Sequence, residues 1–153
     1  MNTSNESAKV MIVEDEPILL EAIKKRFESR KIPTITFSSA KEALSFLNKS
    51  KEKSTELPGV IWLDYYLSEM DGLEFLGEIN RDSVTARIPV LVVSNSASNE
   101  KIKKMLTLGV EKYLLKANHR LDDLIDLTTE FINQKEENKQ KDYAEKNKED
   151  NNS

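Results

Sequence analysis

Acidic residues stand at two places where a short apolar run stops. Val10-Met11-Ile12-Val13 runs into Glu14-Asp15, and Val60-Ile61-Trp62-Leu63 runs into Asp64. Two further runs end on other polar groups, Pro89–Val93 on the hydroxyl of Ser94 and Lys112–Leu115 on the ammonium of Lys116. Three carboxylates brought together repel one another and drive up at least one pKa. A divalent cation that prefers oxygen ligands removes that penalty, and Mg²⁺ keeps waters free for exchange with phosphate oxygens. A nucleophilic carboxylate, a cation site, a hydroxyl and an ammonium together suit phosphoryl transfer.

That chemistry requires the ends of separate strands to meet. β-Branched runs at Lys9–Val13, Pro33–Phe37, Val60–Leu63, Pro89–Val93 and Lys112–Leu115 read as buried parallel strands. Between them, apolar residues recur at helical spacing. Leu19, Leu20, Ile23 and Phe27 mark a first helix, with Pro17 in its opening turn. Ala40, Ala43, Leu44 and Leu47 mark a second, with Ser39 and Glu42 at capping-box spacing. Leu73, Leu76 and Ile79 mark a third, and Ile102, Met105 and Leu106 a fourth that stops at Gly109. Leu121, Leu124, Ile125, Thr128 and Ile132 mark the fifth. Strict alternation predicts an α/β fold, a doubly wound five-stranded parallel sheet with helices on both faces. In such sheets functional residues collect at the carboxyl ends of the strands, where these polar groups fall.

Composition narrows the function classes. The chain has 153 residues, 38% hydrophobic and 33% charged, enough for one domain with a real core. A net charge of −4 leaves no basic excess for nucleic acid, so none is expected as a partner. The absence of cysteine excludes disulfides, thiolate catalysis and cysteine-bound metals. The first apolar run is too short for a membrane span or a signal-peptide core, so a cytoplasmic protein without membrane association is expected. The folded domain is expected over residues 8–133. Met1–Ser7 reads as loose and Lys49–Glu56 as a polar loop. Residues 134–153, rich in Lys, Glu, Asn and Asp, read as a charged tail whose first turns extend the last helix and whose remainder is disordered.

Taken together, these residues resemble the receiver domains of two-component response regulators, over about residues 8–133. The acidic pair is Glu14-Asp15, and the acceptor segment is Trp62-Leu63-Asp64-Tyr65-Tyr66-Leu67-Ser68-Glu69-Met70-Asp71-Gly72. The family's glycine eight residues past the acceptor is Gly72, its Ser/Thr is Ser94 and its lysine is Lys116. The resemblance implies the flavodoxin-like strand order 2-1-3-4-5. It implies Asp64 as phosphoacceptor, served by Lys116 and Ser94. It implies Mg²⁺ held by Asp15, Asp64 and the backbone carbonyl of Tyr66, with Glu14 reaching it through water. Ser94 and Tyr113 would form the switch, Tyr113 turning inward once Ser94 is drawn to the phosphoryl group. Partners would be a histidine kinase or histidine phosphotransfer protein, and a downstream protein on the face of the fourth helix, fifth strand and fifth helix. The protein would be a signalling acceptor rather than an enzyme, catalysing only its own phosphotransfer and dephosphorylation. Tyr66, two residues past the acceptor, would lie near the path of the hydrolytic water and shield the acyl phosphate. Two departures stand out. Ala117 replaces the proline that often follows the lysine, so no X-Pro bond aims Lys116. Ser68 replaces the proline four residues past the acceptor.

Plainer readings exist for each residue alone. Glu14-Asp15-Glu16 suits the first turn of any helix. Asp64 could be a strand-end turn residue, Ser94 a strand-end hydroxyl, and Tyr113 and Trp62 core; it is their order and spacing that favour the site. His119, the only histidine, falls in the opening turn of the last helix, outside any bundle that would make it a phosphohistidine carrier. A dehalogenase-type phosphatase needs a second Asp where Tyr66 stands, and a nucleotide-binding protein needs a glycine-rich loop where Glu14-Asp15-Glu16-Pro17 stands. The remaining alternative is a receiver-like docking module that works without phosphorylation.

Overall fold

A computed structural model describes residues 9–53, 56–95 and 98–151. The residues expected to be loose at the amino terminus, 1–7, lie outside the described residues, as do 54 and 55 of the expected polar loop. Five strands alternate with five helices: β1 (Val10–Val13), α1 (Pro17–Ser29), β2 (Thr34–Phe37), α2 (Ala40–Ser50), β3 (Val60–Asp64), α3 (Gly72–Asn80), β4 (Val90–Ser94), α4 (Asn99–Thr107), β5 (Lys112–Leu115) and α5 (Leu121–Asn151). The sheet is wholly parallel, in the order β2-β1-β3-β4-β5, as the resemblance implied.

Side-chain alternation along the strands divides the core in two. Met11, Val13, Ile61, Leu63, Val90 and Val92 face α2, α3 and α4, meeting Leu47, Phe75, Ile79 and Met105. Val10, Ile12, Val60, Trp62, Leu91 and Val93 face α1 and α5, meeting Ile23, Phe27, Leu124 and Ile125. Both faces of β1, β3 and β4 are therefore covered, which is why their sequences are continuous apolar runs rather than alternating ones. Trp62 is fully buried, its ring edge-on to Phe27 at 5.7 Å between centroids.

Local signals fix where the helices begin. Pro17 opens α1, where a missing N–H costs nothing. Ser39, Asp71 and Ser98 cap α2, α3 and α4 by accepting the N–H groups of Glu42, Glu74 and Lys101. Gly109 follows α4 at φ +93°, a conformation that L side chains resist, and so ends the helix as expected.

Several expected boundaries move. β3 and β4 each extend one residue further, so Asp64 and Ser94 are the last rungs of the sheet, paired with Val93 and Leu115. α2 continues through the buried Ser50, taking Lys49 and Ser50 out of the expected loop. His119 lies before α5, extended after a one-turn 3-10 helix at Lys116–Asn118. The largest change is the tail, where α5 runs unbroken to Asn151 instead of losing its order after a turn or two. Residues 134–151 contain no glycine or proline. Acids also precede lysines by four positions at Glu137/Lys141 and Asp142/Lys146, a spacing that supports a helix without any apolar face.

Candidate functional site

Because β1 and β3 are neighbours and parallel, their carboxyl ends present Glu14, Asp15 and Asp64 side by side. One carboxylate oxygen from each lies within 4.8 Å of the others. Glu14 is 1% exposed and Asp64 8%, while Asp15 is half-buried. Lys116, leaving the end of β5, crosses to the group: its Nζ is 3.7 Å from Glu14 Oε2 and 3.7 Å from Asp64 Oδ2. The lysine is thus aimed without a proline behind it. The strand end and the 3-10 turn that follows bring it to both acids.

The electrostatics follow from that crowding. Burial, then a hydrogen bond with Asp64 and its charge, push Glu14 up to about 8; Lys116 pulls in the opposite direction. Without a cation, Glu14 therefore carries a proton near neutrality, in a hydrogen bond with Asp64. Glu14 Oε2 is buried without a hydrogen-bond partner. A buried oxygen left in that state costs free energy, and a divalent cation would complete it. The donor set, all oxygen and largely withdrawn from water, fits a hard cation.

Asp64 is held at both oxygens. The backbone N–H of Tyr66 donates to Oδ1 at 3.4 Å, while Oδ2 faces Lys116. The loop beyond folds back on itself: Tyr66 bridges Asp71, and the Gly72 N–H donates to the Tyr65 carbonyl at 2.8 Å. Gly72 is tightly surrounded, while its backbone is not in the left-handed region. A Cβ there would stand 2.8 Å from Met105 Cε and 3.1 Å from Tyr65 Cδ2.

Ser94 is fully buried, and its side chain is hydrogen-bonded to the Tyr113 phenol. Burial pushes that phenol's pKa up, and the Ser94 hydrogen bond opposes the shift. Tyr113 is half-buried and packed on the α2–α3–α4 side of the core.

The structure adds one residue that sequence reasoning missed. Lys101, in the first turn of α4, extends over the acceptor loop. Its Nζ lies 5.2 Å from the Tyr65 ring centroid and 5.3 Å from that of Tyr66, and it donates to the Tyr66 hydroxyl at 3.4 Å. Nothing in the sequence signals this, because a lysine in a helix's opening turn usually just faces water.

Comparison with known proteins agrees with this geometry. The family model of the response regulator receiver domain matches residues 10–128. The rice (Oryza sativa subsp. japonica) two-component response regulator ORR1 is 28% identical over 112 residues, covering 71% of this chain and 48% of that protein. The chain thus spans about half the length of the curated relatives it matches. The phosphorylated cyanobacterial phytochrome response regulator RcpA superposes with a TM-score of 0.66 at 29% identity, over 78% of this chain and 87% of that one. The Mn²⁺-bound response regulator Rcp1 gives 0.64 at 26% identity, over 75% and 85%.

Proposed function

Because the chain belongs to the response regulator receiver domain family, we propose that it takes a phosphoryl group from a phosphohistidine onto Asp64 and signals by protein–protein contact. The observation that carries this reading is the meeting of Lys116 with Glu14 and Asp64, 3.7 Å from each. An Asp64 oxygen attacks phosphorus, the N–P bond breaks, and its electron pair returns to the imidazole of the donor. The product is an acyl phosphate. Lys116 offsets the charge on the phosphoryl oxygens, and the Ser94 hydroxyl donates to one of them. Glu14, Asp15, Asp64 and the Tyr66 carbonyl would hold Mg²⁺, which supplies charge neutralisation at the phosphoryl oxygens when bound. The capacity for a dication is supported by the acidic cluster and by the Mn²⁺ in Rcp1.

The donor would be a histidine kinase or histidine phosphotransfer protein in the cytoplasm. The readout would be a protein docking on α4, β5 and α5, with Ser94 and Tyr113 reporting the state of Asp64. Movement of the Ser94 hydroxyl toward the phosphoryl group would break its hydrogen bond with Tyr113 and shift a two-state arrangement. The protein would turn over no external substrate beyond its own phosphoryl group. Incubation with Mg²⁺ and acetyl phosphate, followed by intact mass, tests the reading. One added phosphoryl group on wild type and none on Asp64→Asn is expected. An unmodified wild type would instead favour the phosphorylation-independent docking module.

A further inference from the structure

Two residues of α4, one turn apart, land on the same loop. Met105 Cε lies 2.8 Å from where a Gly72 Cβ would be, a position that is also 3.1 Å from Tyr65 Cδ2, and Lys101 lies over the Tyr65 and Tyr66 rings. Residues four apart share a helix face, so α4 is fixed against the acceptor loop at two points. The inner point is apolar and buried: Met105 is 0% exposed and Tyr65 2%. The outer point is polar. Tyr66 is 48% exposed, leans edge-on against Tyr65 at 4.8 Å between centroids, and accepts a hydrogen bond from Lys101. An exposed tyrosine with no such partner would sample several rotamers. This one is held by an ammonium that contacts its hydroxyl and its ring together.

The held ring belongs to a residue whose backbone also contacts the acceptor. The Tyr66 N–H binds Asp64 Oδ1, and the Tyr66 phenol, Lys101 and Asp64 all exert their charges on the Tyr113 hydroxyl, which is bonded to Ser94. We propose that Lys101 is a positioning residue that fixes Tyr66 as a wall across the approach of water to a phosphorylated Asp64, and so sets how long the phosphoryl group survives. The proposal rests on Asp64 being the acceptor. In the step it slows, a water oxygen attacks phosphorus and the bond from phosphorus to the Asp64 oxygen breaks. Asp64 leaves as a carboxylate, the products are inorganic phosphate and a proton, and nothing is oxidised or reduced. Lys101 touches none of the reacting atoms.

Lys101→Met keeps the aliphatic stem and removes the donor and the charge. Protein phosphorylated with acetyl phosphate and Mg²⁺, then freed of donor, should lose its phosphoryl group about 3- to 10-fold faster in Lys101→Met than in wild type, the range expected for losing one weak contact. The rate of uptake should not change, and Lys101→Arg should restore the slow decay. Tyr66→Ala should itself decay faster, and adding Lys101→Met to it should then have no further effect. Decay at the wild-type rate in Lys101→Met, or equal acceleration in both Tyr66 backgrounds, would overturn the proposal. A second arm needs no phosphoryl group: tetranitromethane should nitrate Tyr66 faster in Lys101→Met, with Tyr143, 70% exposed, as the internal reference. Unchanged nitration would overturn the clamp. A wild type that takes up no phosphoryl group would overturn the acceptor reading and the shield's function with it, and the nitration arm distinguishes that failure from failure of the clamp.

Discussion

The same residue types are used in opposite ways at two places in this molecule. At the carboxyl end of the sheet, Glu14, Asp15 and Asp64 share one lysine, Lys116, and two of the three acids are almost out of water. On the flank where α1 meets α5, Arg26 pairs with Asp122 at 2.8 Å and Arg30 pairs with Asp126, one arginine to each acid, with both aspartates largely in solvent. The flank pairs satisfy each other, and each such exposed pair contributes about 0.2–1 kcal/mol. The strand-end group leaves a buried carboxylate oxygen without a hydrogen-bond partner and forces a proton onto Glu14. Charges arranged for stability come in matched pairs at the surface. The strand-end set has three carboxylates for its one lysine, and the excess is what a cation would use.

That contrast predicts opposite signs on mutation. Asp64→Asn removes the nucleophile and should abolish phosphoryl uptake, by more than about 1,000-fold. It also removes the neighbouring charge that raises Glu14 and leaves Lys116 to pair with Glu14 without a competing acid. In chelator the variant should be more stable than wild type, by about 1 kcal/mol in urea melts. A less stable Asp64→Asn protein would break the comparison, because the strand-end charges would then be holding the fold together as the flank charges do.

The pH dependence sharpens it further. Glu14 has its ordinary value of 4.5 when unfolded and about 8 when folded without a cation. Between those values the folded state binds more protons than the unfolded state, so stability falls as pH rises through that window. In chelator the Tm should drop from pH 5 to pH 8, by about 2–4 °C for each kcal/mol lost. Mg²⁺ should raise Tm more at pH 8 than at pH 5, since at the lower pH it must displace the proton on Glu14. Glu14→Gln should flatten the slope. A slope unchanged by Glu14→Gln would move the titration to another group.

How much of this was legible in the sequence depended on whether a feature is set locally or across the fold. Asp64 was legible because a buried parallel strand is a continuous apolar run, and the first polar residue marks its carboxyl end. β5, expected to be buried too, is only half-buried behind an exposed Lys112, yet its apolar run still ends at Lys116. The helix starts at Pro17 and Ser39 follow from backbone chemistry confined to a few residues. Lys101 was not legible: its contact with Tyr66 spans 35 positions and depends on how α4 packs over the acceptor loop. Nor was the Ser94–Tyr113 hydrogen bond, which requires β4 and β5 to lie side by side with both side chains turned toward α4. The helix beyond the first turns of residues 134–151 was missed for the opposite reason. Apolar periodicity is how a helix is usually recognised, and this one has charge spacing instead.

On the flank, the expected effects are small. Arg26→Ala should cost about 0.5 kcal/mol in urea melts, and less at high salt, because its pair with Asp122 is exposed and screened. A loss above about 2 kcal/mol would mean that the flank pairs do more than exposed pairs ordinarily do.

The smallest effect is expected beyond Glu136. Up to that point α5 is anchored: Phe131 and Ile132 are buried, and Lys135 pairs with Glu111 at 3.6 Å while lying over the Phe131 ring. From residue 137 to 150 every residue is exposed, so only local spacing supports the helix. Isolated helices shorter than about 12–15 residues are marginal in water, and most helical stability comes from packing that this stretch lacks. A chain ending at Glu136 should therefore unfold in urea within about 0.5 kcal/mol of the full chain, with the same dependence on Mg²⁺. The full chain should show an extra far-UV helical signal that declines gradually with temperature before the main transition, and the shortened chain should lack it. A shortened chain that lost much more stability, or whose tail signal melted together with the core, would mean that these charges are paired against the domain as Asp122 and Asp126 are, and the distinction between packed and solvated charge would fail at the tail.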